Sequence, residues 1–418
     1  MRIELITTGS ELLLGRVLNT HQQWLGRELD AHGWTVERQV SVSDTGPAIE
    51  AAVREGLNRA DLIITTGGLG PTADDITRDR IAALLGRSLK EDSETRDRIA
   101  AFFRRIQRPM PESVLVQAQI PEGALILPNR HGTAPGLFLE IVPNPFADGP
   151  AWLLMLPGPP RELRPMVTQQ AIPLLLDHCP PSERLSTRVL KVAGMGESMV
   201  EEKISSPLEA LAVDGLDLGY CSRNGEVDIR LRAPDVALVE RAEAAVREAL
   251  GPHIFGTDDD TLEQHLIQRL TERCETLAVA ESCTGGFLAH RLTNVPGASA
   301  VFLAGLVTYS NEAKQTILGV KAATLAAHGA VSEETAREMA EGARVLYGTD
   351  YALATTGIAG PSGGTAEKPV GTVHIALATP ESTYVFSICN AVDRETFKFV
   401  TTQQAMDFLR RRLVGAGA

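Results

Sequence analysis

The segment that organises this sequence is LAVAESCTGGFLAHRL, residues 277–292. It begins with an apolar run, passes through the polar turn ESCTGG at residues 281–286, and resumes with apolar residues at helical spacing. This order predicts a strand, a tight turn and a helix. The first N–H groups of a helix have no partner inside it, and two glycines let a ligand approach them closely. The turn therefore suits a phosphate group, unless Ser282 and Thr284 only cap the helix.

Length and composition set the limits of the interpretation. The 418 residues, 44% of them hydrophobic, fit two to three globular domains. No apolar run approaches the roughly 18 residues that cross a bilayer, so we expect a cytoplasmic protein without a membrane partner. Five dispersed cysteines without a C-x-x-C pair indicate neither a disulfide framework nor a zinc site. The net charge of −13 argues against general binding to nucleic acid.

The N-terminal third alternates strand-like and helix-like segments. This order is typical of a parallel sheet, in which ligands collect beyond the carboxyl ends of the strands. The strand predicted at 61–66 runs directly into the glycine-rich turn 67–70, which Asp74 and Asp75 follow. These carboxylates have two interpretations: either of them could begin the next helix, or both could hold a divalent cation against a bound pyrophosphate. Their spacing does not decide between the two.

Four motifs within residues 1–170, TGSELLLG, TTGGLGPTADDITR, NRHGTAPG and LPGPPREL, resemble the N-terminal domain of the CinA family, which has a molybdopterin-binding-like fold. The resemblance implies a metal-dependent ADP-ribose pyrophosphatase, with Asp74 and Asp75 as ligands of Mg²⁺, Mn²⁺ or Co²⁺. Some domains of this fold carry aspartate where this chain has Ser10 and Asn19, which leaves fewer anionic ligands for a metal. The implied nucleotide site comprises Glu11, Asn19, Asp44, Gly67, Gly68, Gly70 and Thr72.

Residues 182–256 read as a small α+β domain, with a GMGES turn at 194–198. In CinA proteins this region resembles a KH-type fold, whose glycine loop clamps RNA. Acidic residues outnumber basic ones by 13 to 9 between residues 183 and 248, and only Lys191 lies near the turn. We therefore expect an interdomain packing role for this domain and no nucleic-acid partner.

The C-terminal third places three polar turns after three apolar strands: ESCTGG, TYSNEAK and TTGIAGP. If the strands are neighbours, these turns converge at one edge of the sheet. They hold serines, Tyr309 and Lys314, but no histidine and no paired carboxylates. A serine activated by a lysine is then the available nucleophile. The lysine must be neutral to act, so its pKa must be lowered by burial or by a nearby cation such as Arg394.

A set of motifs in residues 258–413, AESCTGG, PGASAVF, TYSNEAK, TTGIAGPSGG, PVGTVHIA and DR, resembles the PncC-type nicotinamide-nucleotide amidohydrolase domain of CinA proteins. The resemblance implies deamidation of nicotinamide mononucleotide to nicotinate mononucleotide and ammonia, without a metal. It makes Ser299 the nucleophile, Lys314 its base and Tyr309 a hydrogen-bond donor, and Ser282 is the rival nucleophile. Singly, each of these side chains also has an ordinary structural interpretation. The implied substrate-binding residues are Ser282, Thr284, Gly285, Gly286, Thr356, Gly357, Gly360 and Arg394.

The expected architecture is α/β: two three-layer α/β domains, at 1–172 and 258–418, joined by the small KH-like α+β domain at 182–256. We expect a homodimer that binds the small nucleotides nicotinamide mononucleotide and ADP-ribose. The alternative is a regulatory protein that binds nucleotides or molybdopterin without turnover.

Overall fold

The computed structural model describes residues 1–181 and 185–415. The chain divides into two compact units, Met1–Leu185 and Ser186–Ala418, so the predicted middle and C-terminal domains share one unit. The predicted domain limits at residues 182 and 418 lie outside the described residues. None of the described helices combines the length and the hydropathy that a membrane-spanning segment needs.

The first unit alternates strands and helices as its sequence predicts. Its strands are β1 (Ile3–Thr8), β2 (Val36–Val42), β3 (Leu62–Thr66), β4 (Leu89–Glu91), β5 (Gln119–Pro121), β6 (Leu125–Leu127), β7 (Gly136–Ile141) and β8 (Ala151–Leu156). Its helices are α1 (Ser10–Leu13), α2 (Thr20–Ala31), α3 (Gly46–Arg59), α4 (Thr77–Leu84), α5 (Ser93–Arg105), α6 (Pro160–Met166) and α7 (Ile172–His178), with a 3₁₀ segment at Glu112–Ala118 and a π-helical turn at Val167–Ala171.

Six of these strands form one sheet in the order β2-β1-β3-β8-β7-β6, while β4 and β5 pair separately. The first four strands are parallel, and β7 and β6 are antiparallel additions. Alternate residues of β3 face two cores: Leu62 and Ile64 pack with Leu25 of α2, whereas Ile63 packs with Val53 of α3. Helices therefore cover both faces of the sheet, and the expected three-layer arrangement is confirmed.

The second unit begins with a four-stranded antiparallel sheet covered by two helices. It comprises β9 (Ser186–Ala193), α8 (Glu197–Val213), β10 (Asp217–Arg223), β11 (Glu226–Ala233), α9 (Val236–Leu250), a 3₁₀ turn at Gly251–His253 and β12 (Ile254–Thr257). The strand order is β10-β11-β9-β12. Apolar residues of α8 and α9, among them Val200, Ile204 and Val246, share one core with the sheet. This confirms the small α+β fold.

A five-stranded sheet follows in the same unit. Its elements are α10 (Leu262–Arg273), β13 (Leu277–Glu281), α11 (Phe287–Thr293), a 3₁₀ turn at Ala298–Ala300, β14 (Phe302–Val307), α12 (Asn311–Leu318), α13 (Ala322–His328), α14 (Glu333–Tyr347), β15 (Tyr351–Gly357), β16 (Thr372–Ala378), β17 (Thr383–Cys389) and α15 (Arg394–Leu413). The strand order is β14-β13-β15-β16-β17. The first three strands are parallel, and β15, β16 and β17 form an antiparallel run.

The two faces of this sheet differ in the size of their side chains. Leu277 and Val279 of β13 face a core of large residues shared with α10, α11 and α15. The opposite face packs on α14 and is lined by small residues: Ala278, Ala280, Ala352, Ala354, Ala376 and Ala378. We call this the alanine face. At Gly342 of α14, any side chain would overlap the main-chain carbonyl of Leu318 in α12, so the two helices touch backbone to backbone there.

Candidate active site

Three polar turns meet at one edge of the C-terminal sheet, as predicted. Turn 281–286 follows β13, turn 308–314 follows β14 and turn 355–361 follows β15. The three strands are parallel neighbours with β13 in the centre, so their carboxyl ends lie side by side. The edge therefore gathers side chains from all three turns into one candidate site.

Lys314 reaches into this edge from the first turns of α12. Ser310 caps that helix, since its Oγ accepts a hydrogen bond from the N–H of Ala313 at 3.0 Å. The lysine is only 1% exposed. Its Nζ lies 2.7 Å from the carbonyl oxygen of Thr308, 3.4 Å from that of Tyr309 and 3.0 Å from Oγ of Ser282. The amine is thus held against the serine at the end of β13.

The surroundings of Lys314 favour its neutral form. Burial lowers the pKa of the amine, and the nearby Cys283 opposes this only in part. Burial also raises the pKa of the Cys283 thiol, to about 12, so this cysteine stays a thiol near neutral pH. Within residues 1–181 and 185–415 no carboxylate forms an ion pair with Lys314. A lysine of this kind can accept the proton of an attacking hydroxyl.

The predicted pairing of Lys314 with Ser299 is not the one that the structure has. Ser299 is exposed on the 3₁₀ turn Ala298–Ala300, and no hydrogen bond joins it to Lys314 in the described part of the chain. Ser282, the rival nucleophile, occupies this place. The sequence could not distinguish the two serines, because both belong to loops that follow or precede strands of the same sheet.

Tyr309, Arg394 and Gly360 come together on the open side of the site. Nη2 of Arg394 donates to Oη of Tyr309 at 3.2 Å, and Nη1 donates to the carbonyl oxygen of Gly360 at 2.9 Å. Tyr309 is 63% exposed and Arg394 is exposed as well, so these two side chains face solvent, whereas Gly360 is buried. Asp393 begins α15 as predicted and places Arg394 in its first turn. The side chains of Tyr309 and Arg394 form an accessible polar surface next to the buried lysine.

At the predicted phosphate cradle, the start of α11, a buried carboxylate already accepts hydrogen bonds from three N–H groups. Glu281 is fully buried, and its two oxygens accept hydrogen bonds from the N–H groups of Gly286, Leu288 and Ala289 at 2.8 to 3.0 Å. Neither Ser282 nor Thr284 caps the helix: the N-cap is Gly286, and the side chain that accepts the N–H groups of the first turn is that of Glu281.

Three other predicted binding residues are committed to the fold. Thr284 is buried, and its hydroxyl pairs with that of Thr355 at 2.7 Å. Thr356 is buried as well, and its hydroxyl donates to the carbonyl oxygen of Ala330 at 2.7 Å. Gly357 lies within β15, packed closely against the main chain of β16. Their polar groups therefore do not face a ligand.

Two contributors to the site were missed from the sequence. Glu281 ends an otherwise apolar strand, and an acid at such a position was the available signal that it has a buried partner. Thr308 supplies the carbonyl that holds Lys314, and its buried hydroxyl has no partner among the described residues. Nothing in the residue type of Thr308 indicates this role.

In the KH-like part, the GMGES turn is occupied by the C-terminal helix. Arg411 of α15 donates to the carbonyl oxygen of Ala193 at 3.3 Å, and a side chain at Gly194 would overlap its guanidinium group. Lys191, the cation expected near the turn, is buried and paired with Asp228 at 2.8 Å. These contacts favour the packing role over a clamp for RNA.

The first unit presents a separate polar edge. The glycine turn after β3 has no intramolecular acceptor for the N–H groups of Gly68, Leu69 and Gly70 within the described ranges. Only glycine fits at Gly68, whose φ is +68° and where a side chain would overlap Thr77. Three adjacent donors of this kind form a surface that suits a phosphate.

The other predicted residues of this edge are partly committed elsewhere. Asn19 caps α2, since its Oδ1 accepts from the N–H of Gln22, and its amide also contacts Ser41. Asp44 accepts from the N–H of Ser10 at 2.8 Å. Glu11 is exposed in the short helix α1.

Asp74 and Asp75 do not begin α4, which starts at Thr77 with Ile76 as its N-cap. Asp75 accepts a hydrogen bond from the N–H of Thr72 at 2.9 Å, and both carboxylates contact the Thr72 hydroxyl. No third His, Cys, Asp or Glu groups with them in the described part of the chain. Two hard oxygen donors fit Mg²⁺ or Mn²⁺ when water and substrate phosphates supply the remaining ligands.

Comparisons with known proteins cover the whole chain. Residues 259–413 match the family described as CinA C-terminal domain, residues 187–256 match "Damage-inducible protein CinA KH domain", and residues 4–177 match "Probable molybdopterin binding domain". A "Putative competence-damage inducible protein" of Moorella thermoacetica is 46% identical and covers 99% of both chains. A "CinA-like protein" of Gemmatimonas aurantiaca is 42% identical, over 98% of this chain and 96% of its own.

One similar solved structure is described as competence/damage inducible protein CihA from Agrobacterium tumefaciens. It is 41% identical, covers 37% of this chain and 93% of its own, and has a TM-score of 0.36.

Proposed function

Because this chain belongs to the CinA family, we propose that its C-terminal part hydrolyses the carboxamide of nicotinamide mononucleotide to nicotinate mononucleotide and ammonia. The proposal rests on one observation above all: Nζ of a buried Lys314 lies 3.0 Å from Oγ of Ser282. Serine paired with a neutral lysine is a nucleophile that needs neither a metal nor a histidine.

The proposed reaction uses Lys314 twice. Ser282 Oγ attacks the carboxamide carbon while its proton passes to Nζ of Lys314. The tetrahedral intermediate collapses when the lysine gives this proton to the departing nitrogen, so that ammonia leaves and an ester remains on Ser282. Water then attacks the ester while one of its protons passes to Nζ of Lys314, and the lysine gives this proton to Oγ of Ser282 as the C–Oγ bond breaks and nicotinate mononucleotide leaves. Each proton taken by the lysine is returned in the same half-reaction.

Substrate binding is assigned to two cations near the site, the exposed Arg394 and the half-buried Lys398, since Glu281 accepts from N–H groups at the start of α11. Arg394 is exposed beside Tyr309, and Lys398 lies one turn further along α15, next to the ring of Phe287. We expect these two side chains to contact the substrate phosphate. We expect the Tyr309 hydroxyl, which accepts a hydrogen bond from Arg394, to donate one to the substrate.

The test is ammonia release from nicotinamide mononucleotide by the full chain and by two serine variants. Ser282→Ala should abolish release, whereas Ser299→Ala should keep at least about a tenth of the activity, since Ser299 does not contact the base. Chelators should leave the reaction unchanged. If Ser299→Ala abolished ammonia release and Ser282→Ala retained it, Ser299 would be the nucleophile and the assignment of Ser282 would be refuted.

We propose a second activity for the first unit, metal-dependent hydrolysis of ADP-ribose at the edge that carries the glycine turn. The three N–H groups of residues 68–70 support pyrophosphate binding there, and Asp74, Asp75 and Thr72 would hold Mg²⁺, Mn²⁺ or Co²⁺, which would neutralise charge on the substrate. The test is hydrolysis of ADP-ribose with each cation. Binding without turnover would support the alternative, a regulatory protein that binds nucleotides or molybdopterin.

We also propose a homodimeric, cytoplasmic protein that takes these small nucleotides and no nucleic acid, as base rates for soluble enzymes and the net charge suggest. Sedimentation of the purified chain tests the dimer.

A further inference from the structure

A cleft of about 540 Å³ lies between the KH-like part and the five-stranded sheet of the second unit. One wall consists of the GMGES turn, the start of α8 and the turn between β10 and β11, and the other consists of β17 and α15. Its volume falls within the range of about 300 to 1,000 Å³ that is typical of small-molecule sites. The cleft is separate from Ser282 and Lys314, which do not line it.

The floor of the cleft is apolar and accessible. Met199 is 52% exposed and Phe386 is 39% exposed, although both face the same cavity. Phe386 also contacts Phe408, with ring centroids 6.1 Å apart. Methionine and phenylalanine together suit flat aromatic ligands, because the thioether adapts its shape and the rings stack. The apolar lining comprises Met195, Met199, Val227, Phe386, Ile388 and Phe408.

The charged groups around this floor are two arginines and two carboxylates, and the arginines are the more exposed. Two guanidinium groups line the cleft, with Arg223 44% and Arg411 24% exposed. The two carboxylates of the lining, Glu226 and Asp407, are only 16% and 9% exposed. Both arginines are ion-paired, Arg411 with Asp407 at 2.8 Å and Arg223 with Asp228 at 2.7 Å, but the guanidinium groups are the more exposed members of these pairs. An anionic group in the cleft therefore has better access to an arginine than a cationic group has to a carboxylate.

We propose that this cleft binds a planar aromatic molecule that carries an anionic group. The ring packs on the methionine and phenylalanine floor, and the anion contacts Arg223 or Arg411. Carboxylate, sulfonate and phosphate share this chemistry. The site does not depend on the activity proposed for either unit, since its residues take no part in the reaction.

The experiment is a fluorescence titration of the full chain with 1-anilinonaphthalene-8-sulfonate, a planar aromatic anion. We expect saturable binding of one molecule per chain. Met199→Glu places a carboxylate on the floor, and we expect it to weaken binding at least about tenfold through repulsion of the sulfonate. Val213→Glu is the matched control: it lies on the same helix, is 86% exposed and does not line the cleft. This variant should bind as the wild type does.

Two further measurements test the apolar floor and the preference for an anion separately. Met199→Leu keeps the apolar floor without a charge and should retain binding, and circular dichroism should show all variants folded. Equal affinity of the wild type and Met199→Glu would overturn the site. Equally tight binding of N-phenyl-1-naphthylamine, which lacks the sulfonate, would overturn the anionic preference. A change in sedimentation caused by Met199→Glu would show instead that the cleft is an interface between copies of the chain.

Discussion

Burial of Lys314 lowers the free energy of unfolding, and the proposed role of this lysine explains why it is there. An amine buried to 1% exposure next to two carbonyl oxygens and a hydroxyl loses most of its hydration, and in the described structure no carboxylate compensates for the charge. An apolar side chain of similar length would fit the same space without this loss. The lysine is therefore better accounted for by chemistry than by packing.

Substitution of Lys314 should separate activity from stability. We expect Lys314→Met to lower the rate of ammonia release by roughly 10² to 10⁴-fold, because the base is lost. At neutral pH its free energy of unfolding should equal or exceed that of the wild type, as measured by urea denaturation. Lys314→Arg should also be inactive, since a guanidinium group does not give up its proton near neutral pH. An active arginine variant would show that only a fixed positive charge is needed.

The pKa of Lys314 also predicts two pH dependences. Burial places it below the ordinary value of 10.5. Between the two values the unfolded chain holds a proton that the folded chain lacks, so the free energy of unfolding rises with pH across this interval. The neutral amine becomes populated as pH passes through the lowered pKa of the folded chain, so kcat/KM should rise with pH there and level off above it. Lys314→Met should lack this component of the stability profile, and an unchanged profile would contradict the assignment.

Glu281 is the second residue whose substitution is informative. Glutamine keeps its shape but replaces one acceptor oxygen with an N–H donor, which must face main-chain N–H groups at the start of α11. We expect Glu281→Gln to lower the free energy of unfolding by about 3 kcal/mol, as for a lost hydrogen bond to a charged group. Urea denaturation measures this, with the exposed Glu272→Gln as a control that should be neutral. A small decrease in the free energy of unfolding would mean that the turn keeps Ser282 in position without the Glu281 carboxylate.

At the scale of the elements, the sequence predicts much of the fold. Ser332 followed by two glutamates predicts the start of α14, which runs from Glu333 to Tyr347 as expected. Local sequence signals of this kind are enough to predict where helices begin and which segments form buried strands. They do not predict the contact between Ser282 and Lys314, because it joins two turns 32 residues apart and depends on the register of β13 and β14. The role of Glu281 was missed for the same reason, since it depends on where the N–H groups of another element point.

Asp74 and Asp75, in the turn between β3 and α4, make different contacts. Asp75 accepts a hydrogen bond from the main chain of Thr72, whereas Asp74 is exposed and its carboxylate contacts the Thr72 hydroxyl. We expect Asp75→Ala to lower the free energy of unfolding by about 1 kcal/mol, and Asp74→Ala to leave it unchanged. Both should reduce metal-dependent hydrolysis of ADP-ribose. Loss of activity in proportion to loss of stability in both variants would argue against a metal at this turn.

At the scale of the whole second unit, polar contacts join the KH-like part to the helix behind the candidate site. Glu226 accepts from Nε2 of Gln403 at 3.0 Å, and Oε1 of Gln403 accepts from Arg291 of α11. Burial raises the pKa of Glu226, although Lys191 and Arg223 oppose the effect. The carboxylate is therefore held in a place that disfavours its charge.

This contact predicts how stability changes with pH. Between the ordinary pKa of 4.5 and the raised value, the folded chain holds a proton that the unfolded chain lacks, so this group's contribution to the free energy of unfolding falls as pH rises. Glu226→Gln keeps an acceptor for Gln403 without the charge. Its stability relative to the wild type should increase between pH 4 and pH 7 in urea denaturation. A difference that stays constant with pH would show that Glu226 does not titrate in this interval.

The alanine face of the C-terminal sheet has a consequence for mutational tolerance. Large residues on the opposite face can exchange among themselves for less than about 1.5 kcal/mol, because neighbouring side chains readjust. The alanines cannot, since they are fully buried in a core shared with α14, and larger side chains there would overpack it at a cost of about 1 to 3 kcal/mol. In a random library of the sheet selected for folded protein, substitutions should therefore be retained on the face of large residues and eliminated on the alanine face. Gly342 of α14 contacts the carbonyl of Leu318 in α12. The distance between α14 and the sheet, which the alanines preserve, therefore also determines the distance between Lys314 of α12 and Ser282.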